Sequence, residues 1–372
     1  MRRIRYIHEL GQWPDFTWDQ TVVNELLAQT RYLQGKVLGR MESLGFNLQA
    51  DASLLALTHE IVKSSEIEGE MLPQDQVRSS LARKLGLDVA GLVASNRNID
   101  GIVELMLDAT QNFKQPLTAE RLFHWHRNLF PDGFSGAYRI NTGNWRTDET
   151  GPMQVVSGAM GKERIHFEAP AANRLATEME KFLLWFNSDS SMDLLLKSAV
   201  AHFWFITIHP FDDGNGRIAR ALSDMLLARS DNSTKRFYSL SAQIRKERNE
   251  YYNHLEKSQN GDLNITQWIS WYLTCLSHSL ESTTQDFNNV LAKATFWEKH
   301  KTTALNARQK IMLNKLLDGF DGKLNTSKWA KITKTSQDTA MRDIHALIEL
   351  GILEKENAGG RSTHYTLRLT TT

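Results

Sequence analysis

Residues 194–220 read Leu194-Leu195-Leu196-Lys197-Ser198-Ala199-Val200-Ala201-His202-Phe203-Trp204-Phe205-Ile206-Thr207-Ile208-His209-Pro210-Phe211-Asp212-Asp213-Gly214-Asn215-Gly216-Arg217-Ile218-Ala219-Arg220. The first half is apolar almost all round, which at this length reads as a buried helix rather than a strand. Pro210 disfavours helical geometry at His209, so the helix is expected to stop there. Gly214 and Gly216 permit tight turns. From Arg217 helical spacing resumes, with Ile218, Leu222, Met225 and Leu226 as its apolar stripe. The result is a short polar loop between two helices, feeding the N-terminus of the second.

A helix N-terminus presents unpaired N–H groups and a partial positive charge, and a Gly-Asn-Gly turn before it can add further N–H groups to an anion nest. Arg217 and Arg220, three apart, share one helix face, and guanidinium forks match phosphate oxygens. Asp213 offers hard oxygen ligands suited to Mg²⁺. His209, at the other end of the loop, titrates near neutrality and can accept a hydroxyl proton. Two other phosphate motifs fail. Gly214-x-Gly216-x-x-Ala219 fits the dinucleotide fingerprint but follows a helix instead of a strand. Gly158-Ala159-Met160-Gly161-Lys162 has the wrong spacing for a Walker loop, with Glu163 where Ser or Thr is required.

The stretch His209–Arg220 resembles the Fic motif, HPFx(D/E)GNGRxxR, at every specified position. The resemblance implies transfer of AMP from ATP to a Ser, Thr or Tyr hydroxyl of a target protein, the chain itself included, with ATP as substrate and Mg²⁺ as metal. It implies His209 as general base, Asp213 as metal ligand, and Gly214, Asn215 and Gly216 as the phosphate cradle. Arg217 becomes a ligand of the phosphates and of the leaving pyrophosphate, and Arg220 the grip on the γ-phosphate. Ile218 and Ala219 belong to the same ATP-binding segment, and Tyr252 resembles a residue near the adenine.

A second segment, Ser64-Ser65-Glu66-Ile67-Glu68-Gly69, is similar to the Fic inhibitory pattern (S/T)xxxE(G/N), through Ser64, Glu68 and Gly69. Leu54, Leu55, Leu57, Ile61 and Val62 predict a helix running into it, with Gly69 as C-cap. Glu68 then sits at a helix C-terminus, where the dipole disfavours a carboxylate and a cation is needed. The resemblance supplies Arg220, and the pair implies autoinhibition. Gly136-Ala137-Tyr138-Arg139 resembles the family's G-x-(Y/F)-R segment. Gln154-Val155-Val156 and Arg164-Ile165-His166-Phe167 read as a β-hairpin, the place of the flap that docks target segments in Fic proteins.

The chain has 372 residues and a net charge of +1, with no strong pull towards nucleic acid or membrane. One cysteine, Cys275, excludes an intramolecular disulfide and a cysteine zinc cluster. Met1-Arg2-Arg3-Ile4-Arg5-Tyr6 lacks the apolar stretch of a signal peptide, and no window reads as a transmembrane span. A cytoplasmic protein with no membrane partner is expected. The opening, from Tyr6-Ile7-His8 to a helix carrying Val22, Leu26, Leu27, Tyr32 and Leu33, resembles an extension found on one Fic subgroup.

From about Lys301 the pattern changes. Helices are expected from Leu305, from Asn325 and from Ser336 to Leu350, then strands at Ile352–Lys355 and Thr363–Leu367 around Asn357–Arg361, which resembles a winged helix-turn-helix. Residues 301–372 hold twelve Lys/Arg against seven Asp/Glu, a local balance of +5. Ser336, Gln337, Thr339 and Arg342, with Arg361 at the wing tip, could face a DNA groove; packing against protein is the other reading.

The expected fold is mainly α: a helical Fic core with a small β-hairpin flap, plus the C-terminal winged helix-turn-helix. The expected domains are an N-terminal inhibitory region (1–100), the catalytic core (101–285) and the C-terminal module (300–372). This order resembles SoFic-type members of the family, and the resemblance implies a homodimer. Two alternatives stay open: a Fic enzyme that removes AMP or transfers another phosphate-containing group, and a nucleotide-sensing DNA-binding regulator.

Overall fold

In a computed structural model of the chain, residues 6–368 are described apart from 90, 150, 159–163, 190, 321 and 357–362. The basic opening Met1–Arg5, most of the loop 158–163 and the expected wing tip around Arg361 lie outside the described residues. The chain is mainly α-helical, with only short antiparallel strand pairs. It falls into two compact units, Met1–Gly86 with Ala94–Thr284, and Leu87–Val93 with Gln285–Thr372.

The first unit runs through helices α1 Gln20–Glu42, α2 Phe46–Ile67, α3 Gln74–Lys84, α4 Arg97–Gln111 and α5 Ala119–Leu129. The strand pairs β1 Phe134–Ser135 with β2 Tyr138–Arg139, and β3 Gln154–Ser157 with β4 Arg164–Glu168, follow. Next come α6 Leu175–Asn187, α7 Leu194–Ile208, α8 Asn215–Asp231, α9 Leu240–Lys246, α10 Arg248–Gln259 and the start of α11 Thr266–Lys299, a helix that passes into the second unit after Thr284. Local chemistry starts several of these. The side chain of Asn96 accepts from Ile99 N at 2.9 Å and that of Asp193 from Leu195 N at 2.8 Å, each satisfying an orphan N–H of a first turn. The expected hairpin is present as β3–β4, with Val155 opposite Phe167 and an irregularity after Val155.

Helix α8 is the hub. Every residue from Arg217 to Ala228 is buried, because α2, α4, α5 and α7 pack around it. A helix wrapped on all sides leaves its polar side chains no water, so each needs an internal partner. Helices α2 and α8 solve this at spacing four, the repeat that keeps residues on one face. Glu60, Ser64 and Glu68 line α2, while Asp224, Arg220 and Gly216 answer from α8. At the far end Arg236 donates to Asp224 Oδ1 at 2.9 Å and to Asp231 Oδ2 at 2.8 Å. Glu60 Oε2 accepts from Ser239 Oγ and Ser241 N. Among the described residues, the remaining oxygens, Glu60 Oε1 and Asp224 Oδ2, are buried without a hydrogen-bond donor. Burial and the adjacent Glu60 push the Asp224 carboxyl well above the usual carboxylate range.

Removing the Arg236 guanidinium takes away the charge that both Asp224 and Asp231 pair with. Arg236→Met is expected to destabilise the first unit by about 3–5 kcal/mol, read as a shift of the denaturation midpoint. A shift equal to that of a surface arginine control would contradict the bracing role.

The first helix departs from the apolar series read in the sequence. Val22 and Tyr32 are 41 % and 69 % exposed, whereas Thr30 and Gln34 are buried. Those polar residues face inward because they are satisfied there. Thr30 Oγ1 meets Ser277 Oγ at 2.9 Å, and Gln34 Nε2 donates to Ser230 Oγ at 3.0 Å.

The second unit holds α12 Ala307–Leu317, α13 Thr326–Thr333, α14 Gln337–Glu349 and the antiparallel pair β5 Leu353–Lys355 with β6 Tyr365–Leu367. Its core gathers Met312, Leu313, Trp329, Ile344, Leu347 and Leu353. Asn306 and Gln309 form a capping box on α12, and Ser336 caps α14. Gly351, with φ +67°, follows α14 as expected. Ser336, Gln337 and Arg342 are exposed and Thr339 partly so.

Candidate active site

The loop between α7 and α8 begins where the sequence places it. His209 closes α7 in the left-handed region, φ 51° and ψ 59°, with its N–H on Phe205 O at 3.0 Å. A non-glycine residue held there stores about 1–3 kcal/mol of strain and needs strong surroundings. Arg146, buried, supplies them. Its Nε donates to His209 O at 2.8 Å, its backbone N–H to Pro210 O at 2.9 Å, and its Nη2 to Pro170 O. Asn215 braces the loop from within, exchanging hydrogen bonds of 3.0 and 2.8 Å with the backbone of Phe211. Its side chain is therefore engaged structurally, and only its backbone N–H belongs to the open helix end. Gly214, φ +82°, packs so that a Cβ would press on Phe130 and Leu129. Helix α8 consequently starts at Asn215, two residues before the position read from the sequence, because Gly214 makes the reversal and Asn215 locks it.

His126 fixes the turn from below. Gly143 N–H donates to its Nδ1 at 2.9 Å, so Nε2 carries the proton and donates to Asp213 O at 3.1 Å. The ring stacks on Phe211 at 4.2 Å. Burial pushes His126 down to about 4, keeping this neutral tautomer at physiological pH. Asp213 Oδ2 accepts from Ser135 Oγ, Oδ1 accepts from Gly214 N–H, and the carboxylate stays half-exposed.

His209 offers its Nδ1 to Ile206 O at 3.2 Å. A carbonyl only accepts, so Nδ1 is protonated and Nε2 is the basic nitrogen. Burial, aided by the positive charge of Arg146, pushes its pKa down to about 4. The imidazole is thus neutral, and able to take a proton, across the whole physiological range.

At the other end two arginines face two carboxylates. Arg220, fully buried, donates to Glu68 Oε1 at 2.7 Å, to Ser64 Oγ at 2.8 Å and to Ser64 O at 3.0 Å. Burial alone would lower its pKa, but the Glu68 charge and hydrogen bond, together with the neighbouring Tyr251 and Tyr252, raise it. Arg217 lies 5.0 Å from the Phe130 ring centre and donates to Glu70 Oε2 at 2.8 Å. Among the described residues, Arg220 Nη1 and Arg217 Nε are buried donors with no hydrogen-bond partner. The Glu68 carboxylate rests directly on the start of α8, since a Cβ at Gly216 would strike its Oε1. The chain's own carboxylates therefore sit on an anion-collecting helix end with unmet donors beside it.

The remaining sequence-read residues are placed as follows. Gly69 follows the helix end with φ +85°. Ile218 and Ala219 are buried within α8. Tyr252 donates to Ile67 O at 3.4 Å under the Arg248 guanidinium, beside the Glu68-Gly69 turn, while Tyr251 is buried against His202 at 3.0 Å. Sequence reasoning missed His126, Arg146, Ser135 and Glu70. Of these only Glu70 had a signal, as an acid directly after Glu68-Gly69.

The Fic/DOC family matches residues 116–227, the segment that contains His209 to Arg220. The chain carries a Fic domain. A domain of unknown function, DUF4172, matches residues 6–87, which include the Ser64–Gly69 segment. Curated relatives of the Fic domain include "Protein adenylyltransferase Fic" of Drosophila yakuba, 26 % identical over 224 residues, covering 59 % of this chain and 40 % of the relative. "Protein adenylyltransferase fic-1" of Caenorhabditis briggsae is 28 % identical over 200 residues, covering 53 % and 36 %. The chain thus spans about two fifths of the length of these relatives. Among solved structures, a Fic family protein from Desulfovibrio desulfuricans G20 superposes with a TM-score of 0.52 at 19 % identity, covering 96 % of this chain and 99 % of that one. A Fic-domain signalling protein from Bacteroides thetaiotaomicron gives 0.50 at 19 %, covering 72 % and 98 %. These similarities establish the Fic fold. No helix among the described residues is long and apolar enough to cross a membrane.

Proposed function

We propose that this chain is a protein adenylyltransferase that moves AMP from ATP to a Ser, Thr or Tyr hydroxyl of a protein, itself included, and that Glu68 restrains it. One observation carries the reading: a neutral imidazole base and an anion-collecting helix end with two arginines stand at opposite ends of a single bend. His209 Nε2 takes the proton as the hydroxyl oxygen attacks the α-phosphorus. The bond from that phosphorus to the bridging oxygen breaks, and pyrophosphate leaves with its electrons. Negative charge shifts along the phosphate chain, where the first N–H groups of α8, Arg217 and Arg220 act as fixed donors. Arg146, Asn215 and His126 hold the loop so that base and donors keep their separation.

Asp213 fits a Mg²⁺ ligand, being a half-exposed carboxylate at the mouth of the helix end. Among the described residues no group of three or more acidic, His or Cys side chains could hold a metal by itself, which suits an ion that takes its other ligands from phosphate and water. Such an ion would neutralise developing phosphate charge.

Labelled ATP with Mg²⁺ tests the reading: protein-bound AMP is expected, including on the chain itself, and its absence from a Glu68→Gly variant would refute it. The pH profile is a second test. With His209 pushed down to about 4, the active neutral form is lost only as pH falls through that value. For Glu68→Gly with saturating Mg²⁺, kcat/KM is expected to stay level from about pH 5.5 to 7.5, since this ratio reports the free enzyme's base. An acidic limb centred near 6.5 would contradict the buried-base assignment.

A further inference from the structure

The turn after α2 carries two carboxylates, and each claims a different arginine. Gly69 reverses the chain with φ +85°. Its N–H donates to Glu66 O at 3.1 Å, and Glu70 N–H donates to Ser65 O at 3.0 Å. Glu70 is therefore anchored to the last turn of the helix that presents Glu68. Its Oε2 accepts from Arg217 Nη1 at 2.8 Å. Arg217 is held over Phe130, with Asp213 Oδ2 at 3.8 Å from Nη2, and its Nε is buried without a hydrogen-bond partner among the described residues. The arginine side chain is 10 % exposed and the glutamate 42 %, so the pair is open to solvent on the glutamate side, where a competing anion can enter.

We propose that Glu70 is a second inhibitory carboxylate, which occupies the Arg217 fork and must be displaced by the phosphates of an incoming nucleotide. This rests on the reading of the α8 N-terminus as the ATP phosphate site. An anion bound there competes with Glu70 for one fork and is repelled by its charge, just as it competes with Glu68 for Arg220. Because the two arginines lie on one face of α8 and the two glutamates on one turn, one displacement of that turn frees both. Neutralising Glu68 by itself leaves Arg217 engaged.

The test is calorimetric titration of the full chain with ATP and with ADP, in the absence of Mg²⁺ and of any target. The proteins are the parent, Glu70→Gln, Glu68→Gln and the double variant. Glu70→Gln is expected to tighten both nucleotides by about two- to fivefold, the scale of one partly exposed charge pair, and the double variant to bind more tightly than either single one. Glu70→Ala serves as a second removal of the charge, with thermal midpoints confirming that each variant is folded. Unchanged or weaker nucleotide binding in both Glu70 variants would overturn the proposal and make Glu70 a residue that orients Arg217. Tighter binding without AMP transfer by any variant would refute the transferase reading and leave this one standing. No nucleotide binding by any variant would overturn both.

Discussion

Glu68→Gly is expected to raise AMP transfer from ATP to protein by about 5- to 150-fold, the usual span of a coupling free energy between two states. The argument is one of occupancy. Arg220 has its Nε and Nη2 committed to Ser64 and Glu68, and the Glu68 carboxylate covers Gly216 at the helix end. A terminal phosphate meets a filled fork and a like charge. Glycine removes both obstacles and is well tolerated just past the end of a helix, so α2 keeps its place and Ser64 keeps its hold on Arg220. Incorporation of labelled AMP into the purified chain measures the effect. A rate equal to that of the parent would mean that the Glu68–Arg220 pair is structural only. The gain also has a ceiling, since Glu70 still holds Arg217 in this variant.

The second large effect is a loss. His209→Ala, made in the Glu68→Gly background, is expected to reduce transfer by about 10²–10⁴-fold, the contribution of a positioned general base. ATP affinity, measured separately, should be unchanged, because the bend's shape depends on Arg146 and Asn215 gripping backbone atoms rather than on the imidazole. Loss of transfer with loss of ATP binding would point to a collapsed loop, and retained transfer would remove His209 from the chemistry.

The two effects rest on residues of different legibility. His209, Asp213, Arg217 and Arg220 fall within twelve consecutive positions, and their chemistry is readable because residue type and spacing are enough to imply an anion site beside a base. The buried helix before them and the glycine turns are equally local, since periodicity and the φ preferences of Gly and Pro act over a few residues. Ser64, Glu68 and Gly69 were readable as a segment, although pairing with Arg220 needed a resemblance to supply the partner. The depressed pKa of His209 had no signal at all, because it arises from burial and from Arg146, 63 residues away.

The amino-acid order by itself determined a mainly helical chain, a polar bend between a buried helix and an amphipathic one, and the residue types gathered at that bend. The tertiary structure decided which partners those residues meet. It set His126 on Asp213 across 87 positions and Glu70 on Arg217 across 147, turned Asn215 inward as a brace, and made α8 a helix buried on every side. The reason is physical: dihedral preference and hydrophobic period act locally, whereas desolvation and ion pairing depend on what the rest of the chain brings within a few ångströms.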